Sequence, residues 1–338
     1  MAQRAVQKTP VTERFRLILP AMMLALATSL CGGAHAQSDD IYPAKPVRIV
    51  IPFPPGGPTD VLGRLVAEIL GKEFNQAFVA INVGGAGGTI GAIQVARAKP
   101  DGYTLMLGTA GTIINNPHMN KNIGYDPLKD FQAISALWSQ PSVVLVRKDG
   151  AYSSLRELIA DGKRRPGALN YGSSGVGAFN HLSAEFFASL AGIKMTHIPY
   201  KGVAPAITDL IAKNLDVVFG PVTNLLANSD RLIGLAISAP ERSSFAPAVP
   251  TAAEVGLPDF VYSSWGGLFA PAGVSPRIAE RLSSAITKGS GIESIKKRYA
   301  ILGVDPEFSS PAEYQAYIAA EFKRGGQLIR AIGLQQEQ

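Results

Sequence analysis

The sequence predicts an α/β fold with largely parallel sheets, divided between two domains. Strand-like and helix-like segments alternate along the chain, which is typical of parallel sheets covered by helices. Several strand-like segments end in loops of small residues, and in open α/β sheets ligands bind beyond the carboxyl ends of the strands. A chain of 338 residues is long enough to bury two cores. Together these observations predict a ligand site built from loops at strand ends.

The first strand-to-helix connection carries the clearest binding signal. An apolar run ends at Ile51, a turn containing Gly56 and Gly57 follows, and apolar residues then recur at helical spacing. Thr59 or Asp60 can cap that helix, and glycines without a Cβ let a ligand approach the main chain. Free N–H groups and the helix dipole suit a carboxylate or phosphate. An ordinary strand–turn–helix connection is the alternative that this stretch alone leaves open.

Two more strand-like segments end in loops of the same kind. Residues 78–81 lead into a second glycine-rich loop at 84–91, and residues 103–107 lead into a small-residue loop at 108–112. Three successive strands therefore end in small, donor-rich loops, which predicts one shared binding edge.

A second strand–helix series predicts another domain. Residues 169–171 lead into a fourth small-residue loop at 172–177, and a strand at 195–199 ends at Tyr200. Strand-like residues 143–146 could carry the chain into this domain. The expected domains are residues 37–141 with 263–338, and residues 142–262, joined by a hinge of two crossing strands. Helix-like segments close the chain at residues 276–287, 292–302 and 311–332.

The N-terminal segment predicts export. Basic residues precede a short apolar run at 17–30, and an Ala-His-Ala pattern follows, which is typical of a secretory signal peptide. We expect a signal peptide over residues 1–36, cleaved after Ala36. The sole cysteine, Cys31, then leaves with the leader, and the bulky Leu30 before it argues against lipid attachment. An uncleaved N-terminal anchor is the alternative.

Composition and motif spacing argue against several functions. The net charge of +6 falls to +3 in the predicted mature chain, because the leader removes four basic residues and one acidic residue. The short basic runs at 163–165 and 296–298 are smaller than a nucleic-acid surface requires. The glycine loops do not match nucleotide motifs, since Ile90 occupies the last position of G-x-G-x-x-G and no Gly-Lys-Ser/Thr follows. We expect no nucleic-acid partner and no cofactor.

The residue content suits binding better than catalysis. His181 and Glu185 share a helix face, but no third metal ligand is evident nearby. Ser174 lies in a loop that resembles a nucleophile elbow only loosely, because Val176 stands where a glycine is required. We expect no metal and no catalytic residue, and two domains that close on a solute by hinge motion. An exported serine hydrolase using Ser174 and His181 stays open as an alternative.

Several motifs, in their order and spacing, resemble one family over nearly the whole predicted mature chain. They are PFPPGGPTD at 52–60, GAGG at 85–88 with Gly91, AKPDGYTL at 98–105, GSSG at 172–175 with His181-Leu182, HIPYKG at 197–202 with Pro205-Ala206, and Trp265 with FAPAG at 269–273. The chain is similar to the extracytoplasmic solute-binding receptors of tripartite tricarboxylate transporters, also called the Bug family. The resemblance implies a periplasmic binding protein-like fold (type II), with two doubly wound α/β domains and a cleft between them.

The resemblance also implies a ligand class, partners and site residues. It implies a monomeric periplasmic receptor that binds a di- or tricarboxylate, an acidic amino acid or an aromatic acid and delivers it to membrane permease subunits. A sensor accessory that presents its ligand to a signalling partner is the alternative. Main-chain groups of the first two glycine loops are expected to hold a carboxylate, partly through water. The implied ligand-binding residues are Phe53, Gly56, Gly57, Thr59, Asp60, Ala86, Gly87, Gly88, Thr109, Ser173, Ser174, Gly175, His181, Tyr200 and Pro221.

Two departures from the family pattern bear on specificity. The second loop usually contains a proline after Asn-x, whereas this chain has Gly84 there. Gly220-Pro221 stands where the family often has an aspartate, and the helix that follows is predicted to be short. We therefore expect the cleft wall near Pro221 to differ from the usual one.

Overall fold

The computed structural model describes residues 41–335. From Lys45 onward the described residues form one compact unit. The predicted signal peptide, its cleavage site after Ala36 and Cys31 lie outside the described residues. Within residues 41–335, none of the helices combines the length and the apolar character that crossing a bilayer requires.

The first sheet has a parallel core with antiparallel strands added on one side. Its strands are β1 (Val47–Ile51), β2 (Phe78–Asn82), β3 (Thr104–Thr109), β4 (Phe131–Pro141), β10 (Ser263–Pro271) and β11 (Asp305–Pro306). Their spatial order is β11-β4-β10-β3-β1-β2. β1 lies parallel to β2 and β3, whereas β10 runs antiparallel to β3 and β4. The carboxyl ends of β1, β2 and β3 therefore lie at one edge of the sheet.

The second sheet repeats this plan with the intervening part of the chain. Its strands are β5 (Val143–Arg147), β6 (Leu169–Ser173), β7 (Met195–Pro199), β8 (Val217–Gly220) and β9 (Leu232–Ile237). Their order is β7-β6-β8-β5-β9. β6 lies parallel to β7 and β8, and β5 runs antiparallel to β8 and β9. We call the parts of the chain packed on the first and second sheets lobe 1 and lobe 2.

Helices pack on the sheets, and several have clear end signals. In the described chain they are α1 (Pro58–Phe74), α2 (Thr89–Ala96), α3 (Asn116–Met119), α4 (Leu155–Arg164), α5 (Phe179–Ala191), α6 (Val203–Ile211), α7 (Val222–Leu226), α8 (Pro276–Ser290), α9 (Glu293–Leu302) and α10 (Pro311–Ala331). Ser154 caps α4 by accepting from the Glu157 N–H, and Ser310 forms a capping box with Glu313 at α10. The short α7, of 5 residues, confirms the predicted shortening after Pro221.

Both cores are apolar and continuous. Four of the five residues of β1 are buried, and so are all four residues of β8, as expected for strands covered on both faces. In lobe 2 the rings of Phe187, Phe219 and Phe260 pack together, with centroids 5.2 Å apart for Phe187–Phe219 and 5.4 Å for Phe187–Phe260. Rigid cores of this kind fix the strand ends that carry the site loops.

The chain crosses between the sheets twice, and the two crossings are joined. β4 leads into β5 across Ser142, and the chain returns through Tyr262 into β10. The Ser142 N–H donates to Ser238 Oγ at 2.8 Å, and the Ser238 hydroxyl donates to the Tyr262 carbonyl at 2.5 Å. The α/β fold with two sheets joined by two crossing strands, expected from the sequence, is confirmed.

Candidate functional site

Loop 1 (residues 52–57) lies between β1 and α1, and the side chain of Asp60 holds it in place. The α1 N-cap is Gly57, with no side-chain cap, so the prediction that Thr59 or Asp60 caps this helix was wrong. Pro58 takes the first helical position, which suits its missing N–H and fixed φ. The Asp60 carboxylate instead accepts from the Gly56 N–H at 3.0 Å. The turn is therefore held by a side chain that points back from the helix.

Asp60 is the centre of a buried hydrogen-bond network. Its carboxylate accepts from Arg64 Nε at 3.1 Å and from Asn82 Nδ2 at 2.9 Å. Asn82 Nδ2 also donates to the Phe53 carbonyl at 3.0 Å, which ties loop 1 to the end of β2. Burial alone would raise the pKa of Asp60, but bonds from Arg64, the Gly56 N–H and Asn82 lower it to about 2. With 4% of its surface exposed, Asp60 supports the loop.

Loop 2 (residues 83–88) adopts a backbone that favours glycine. Gly85, Ala86, Gly87 and Gly88 all have φ between 47° and 127°, a region in which a side chain costs about 1–2 kcal/mol per residue. Ala86 and Gly87 are exposed, whereas Gly88 is buried at the start of α2. Loop 2 therefore presents main-chain atoms rather than side chains.

Loop 3 (residues 110–115) packs against the first two loops. Thr109, at the end of β3, donates its N–H to Thr112 Oγ1 at 2.9 Å, and a π-helical turn runs through Gly111–Asn115, a form frequent at functional sites. A Cβ placed on Gly88 would lie 2.5 Å from Thr112 Cγ2 and 3.2 Å from the Pro52 carbonyl oxygen. Loops 1, 2 and 3 thus meet at Gly88.

Loop 4 (residues 173–177) belongs to lobe 2 and is held by buried polar groups. Ser173 is fully buried, and its Oγ lies 2.6 Å from His197 Nε2 and accepts from the Gly175 N–H at 3.1 Å. Ser174 is exposed, and its N–H and hydroxyl both bond to Asn180 Oδ1. Ser174 and the main chain around Gly175 therefore face outward, while Ser173 faces the core.

His181 holds loop 4 in place through a hydrogen bond. It is 6% exposed, and its Nδ1 accepts from the Gly177 N–H at 3.2 Å. Because Ser174 bonds to Asn180, the predicted Ser174–His181 pair is absent from the described contacts. Ser173 and His197 do touch, but a fully buried hydroxyl cannot reach a substrate. The arrangement does not favour the hydrolase alternative.

Tyr200 and Pro221 lie at the ends of β7 and β8. The Tyr200 N–H donates to the Ser173 carbonyl at 2.9 Å, and its hydroxyl donates to Asp209 Oδ2 at 2.7 Å. Burial and the Asp209 carboxylate raise the pKa of Tyr200 to about 12. Pro221 is half-buried and precedes α7. The hydroxyl of Tyr200 is thus directed towards α6.

The short helix α3 connects the two halves of the site. At its start, Asn116 Nδ2 donates to the Gly87 carbonyl at 2.9 Å. At its end, Met119 faces loop 4, because a Cβ placed on Gly177 would lie 3.0 Å from Met119 Sδ. Loops 1 to 3 of lobe 1 and loop 4 of lobe 2 therefore converge around α3.

Sequence reasoning missed the residues that hold these loops in place. Asn82, Thr112, Asn116 and Asn180 fix main-chain groups, and His197 Nε2 lies against Ser173 Oγ. The signal that could have found them is an amide or hydroxyl side chain at a strand end or in the first turn of the next helix.

We expect acid to destabilise the protein through buried His181. Burial, and secondarily His197, lower the pKa of His181 to about 4 from the ordinary 6.5, so between these values the unfolded chain binds more protons. This stability is present in full above about pH 6.5 and is lost as pH falls towards about 4, by on the order of 3 kcal/mol. Urea unfolding at a series of pH values tests this, with His181→Asn as the matched variant. An equal pH dependence in both proteins would contradict the assignment.

Comparison with known proteins identifies relatives over most of the chain. A sequence model described as the tripartite tricarboxylate transporter family receptor matches residues 62–334. Protein BugT of Bordetella pertussis is 34% identical over 322 residues, covering 94% of this chain and 97% of BugT. R. palustris Rpa4515, solved with adipate, is 32% identical with a TM-score of 0.70, covering 86% of this chain and 98% of that one. MatC of Rhodopseudomonas palustris, solved with bound malate, is 30% identical with a TM-score of 0.67, covering 85% and 100%.

Proposed function

We propose that this chain, which belongs to the tripartite tricarboxylate transporter receptor family, binds a small organic carboxylate where loops 1 to 4 converge. The observation that carries the proposal is the contact of α3 with loop 2 through Asn116 and with loop 4 through Met119. It brings the two sets of strand-end loops around one space, the position at which open α/β sheets bind ligands. Family membership makes the chain a solute-binding receptor.

Main-chain groups carry the recognition in this proposal. The exposed turns at Gly56 and Gly87 are held by side chains of neighbouring helices, Asp60 of α1 and Asn116 of α3. The Arg64 guanidinium is engaged by Asp60 and Asn82, so it acts as the counter-charge of Asp60. Backbone N–H groups and the start of α1 then supply the donors for an anionic oxygen. Such a site is general for carboxylates, and Ser174 with loop 4 tunes the choice among them.

The proposal includes the division of the chain and its cellular role. We place the domain boundaries at 141/142 and 262/263, which is supported by the sheet membership of β4, β5, β9 and β10. The lobes close by bending at the crossings joined through Ser238. The signal peptide is cleaved after Ala36, and the monomeric receptor acts in the periplasm. It delivers its ligand to membrane permease subunits and does not convert it chemically.

The direct test is ligand binding by protein that has first been unfolded and refolded to remove trapped solute. Adipate and malate, the ligands named for the two solved relatives, are the first probes, followed by acidic amino acids and aromatic acids. We expect saturable binding of one class in calorimetry and a rise in the unfolding temperature. Failure of every carboxylate to stabilise the refolded protein would overturn the proposal.

Gly57→Val tests whether a ligand approaches the main chain of loop 1. The φ of Gly57 is −79°, and no heavy atom of the described residues lies within 4 Å of a Cβ placed there, so valine fits the fold. We expect affinity to fall by at least about tenfold with an unchanged unfolding midpoint. Gly291→Val is the matched control, since Gly291 has φ −66° and ends α8, remote from the loops. Unchanged affinity in Gly57→Val would remove loop 1 from the site.

A further inference from the structure

Loop 4 is supported at both ends by two histidines whose rings touch each other. At one end, Ser173 Oγ lies 2.6 Å from His197 Nε2, and at the other, the Gly177 N–H donates to His181 Nδ1 at 3.2 Å. The two imidazole centroids are 4.2 Å apart. The histidines come from different elements, α5 and β7, so the pair joins that helix and that strand beneath the loop.

The hydrogen bond at Gly177 fixes the protonation state of His181. A backbone N–H can only donate, so Nδ1 of His181 must carry no proton. The neutral ring then holds its proton on Nε2. A proton added to Nδ1 would make it a donor facing the Gly177 N–H, which is also a donor. The two groups would repel each other, and the Gly177 end of loop 4 would have to move.

The surroundings of the pair keep both rings neutral. Tyr171 of β6 stacks on His197 and His181, with centroids 4.9 and 6.2 Å away, and its hydroxyl donates to Glu185 Oε1 at 2.5 Å. Burial lowers the pKa of His197, and the Glu185 carboxylate of α5 opposes that effect. Ser173 and the α3 residue Met119, which faces Gly177, carry no charge.

We propose that His181 and His197 are positioning residues for ligand binding, which act by holding loop 4 in its binding shape, and that His181 does so only while its Nδ1 carries no proton. The proposal rests on the proposed function, because loop 4 is the contribution of lobe 2 to that site. Neither ring touches the ligand. Protonation of His181 at Nδ1 releases the Gly177 end of the loop and weakens binding from lobe 2, while loops 1 to 3 keep their shape.

Substitutions at position 181 separate positioning from simple packing. His181→Leu fills the space but offers no acceptor to Gly177, whereas His181→Asn places an oxygen near the position of Nδ1. We expect His181→Leu to lower affinity for malate or adipate about ten- to hundredfold, the range for a backbone donor that loses its acceptor. His181→Asn should recover most of that loss. Equal affinities of the Leu and Asn variants would overturn the proposal.

A pH series tests the requirement for neutrality. The double variant His181→Asn/His197→Gln has no titrating ring under loop 4, and any ionisation of the probe is common to both proteins. We expect the ratio of wild-type to double-variant affinity to fall as pH is lowered from 7.5 to 4.5. His118→Gln is the comparison for a histidine that does not contact loop 4, because its Nε2 bonds to the Phe322 carbonyl at 2.7 Å. Since His118 belongs to α3, its affinities are normalised to the value at pH 7.5, and the normalised pH profile should follow that of the wild type. A constant ratio would refute the requirement for a neutral His181.

Measurements without ligand distinguish this proposal from the proposed function. In the free protein at pH 7.5, ¹⁵N chemical shifts should show His181 with a bare Nδ1 and a protonated Nε2. The Gly177 amide should exchange with solvent faster in His181→Leu than in the wild type, while unfolding stays cooperative. If these hold and no carboxylate binds, the support of loop 4 stands and the proposed function fails. A proton on Nδ1, or unchanged Gly177 exchange, would overturn the positioning role itself.

Discussion

Asp60→Ala should reduce carboxylate binding at least about a hundredfold and destabilise the fold by about 2 kcal/mol. The substitution removes the acceptor for the Gly56 N–H and one anchor of Asn82, and it leaves Arg64 without its counter-charge. Loop 1 then keeps the bond from Asn82 to the Phe53 carbonyl and the helical bond from the Val61 N–H to the Gly57 carbonyl. Binding falls more steeply than stability, because the loop must hold its shape to present its N–H groups, whereas the half-exposed Arg64 can regain water.

Two further variants separate the network from the ion pair. Asp60→Asn keeps the shape and one acceptor oxygen, so its affinity should lie between those of the wild type and Asp60→Ala. Lys72→Ala breaks the exposed Glu68–Lys72 pair in the same helix, and it should change the free energy of unfolding by less than about 0.5 kcal/mol. Calorimetry with malate and adipate and urea unfolding give both quantities. Asp60→Ala with normal affinity would show that loop 1 needs no such support.

The order of the elements was predictable because each has a local cause. The helices expected at 276–287 and 311–332 are α8 (Pro276–Ser290) and α10 (Pro311–Ala331). In both cases a Pro or Gly residue marks the change of structure. β4 extends over 11 residues, because β10 pairs with it from one end to the other. Strand length here is set by partners distant in sequence.

The roles of the site side chains could not be predicted, because they depend on partners from other elements. Ser173 and Ser174 are neighbours, yet Ser173 bonds to His197 in the core and Ser174 bonds to Asn180 at the surface. Asp60 and His181 were expected to bind the ligand, and in the structure they accept from the Gly56 and Gly177 N–H groups. The direction in which a side chain points decides whether it contacts the ligand or supports a loop. Sequence spacing does not determine that direction.

A division of labour follows from these contacts. Buried side chains such as Asp60 and His181 accept hydrogen bonds from the loops and hold them in place. In the proposed site, the exposed main chain of these loops binds the ligand. A carboxylate beside an anion site would repel the ligand if it were unpaired, but Arg64 neutralises Asp60 at 3.0 Å. In the proposed site, backbone geometry sets the chemistry, and the most sensitive positions are those where backbone and packing constraints coincide.

Gly88 is such a position, and Gly88→Ala should cost about 3 kcal/mol of stability and abolish detectable binding. Its φ of +96° is strained for any residue with a Cβ, and that atom would lie 2.5 Å from Thr112 Cγ2. The new Cβ cannot move away from Thr112, because the main chain of Pro52 lies close to it as well. Loops 1, 2 and 3 must therefore separate. Urea unfolding and calorimetry with malate and adipate measure the two losses.

Gly192→Ala supplies the comparison that separates backbone strain from the clash. Gly192 ends α5 with φ +63°, and within residues 41–335 a Cβ there meets no atom closer than 4 Å. It should therefore cost only the conformational term of about 1 kcal/mol and leave binding intact. The difference between the two variants measures how tightly the three loops are packed at Gly88. Equal losses in stability would mean that the loops can separate freely, and a site made of main-chain donors from several loops could not then hold a carboxylate in one fixed geometry.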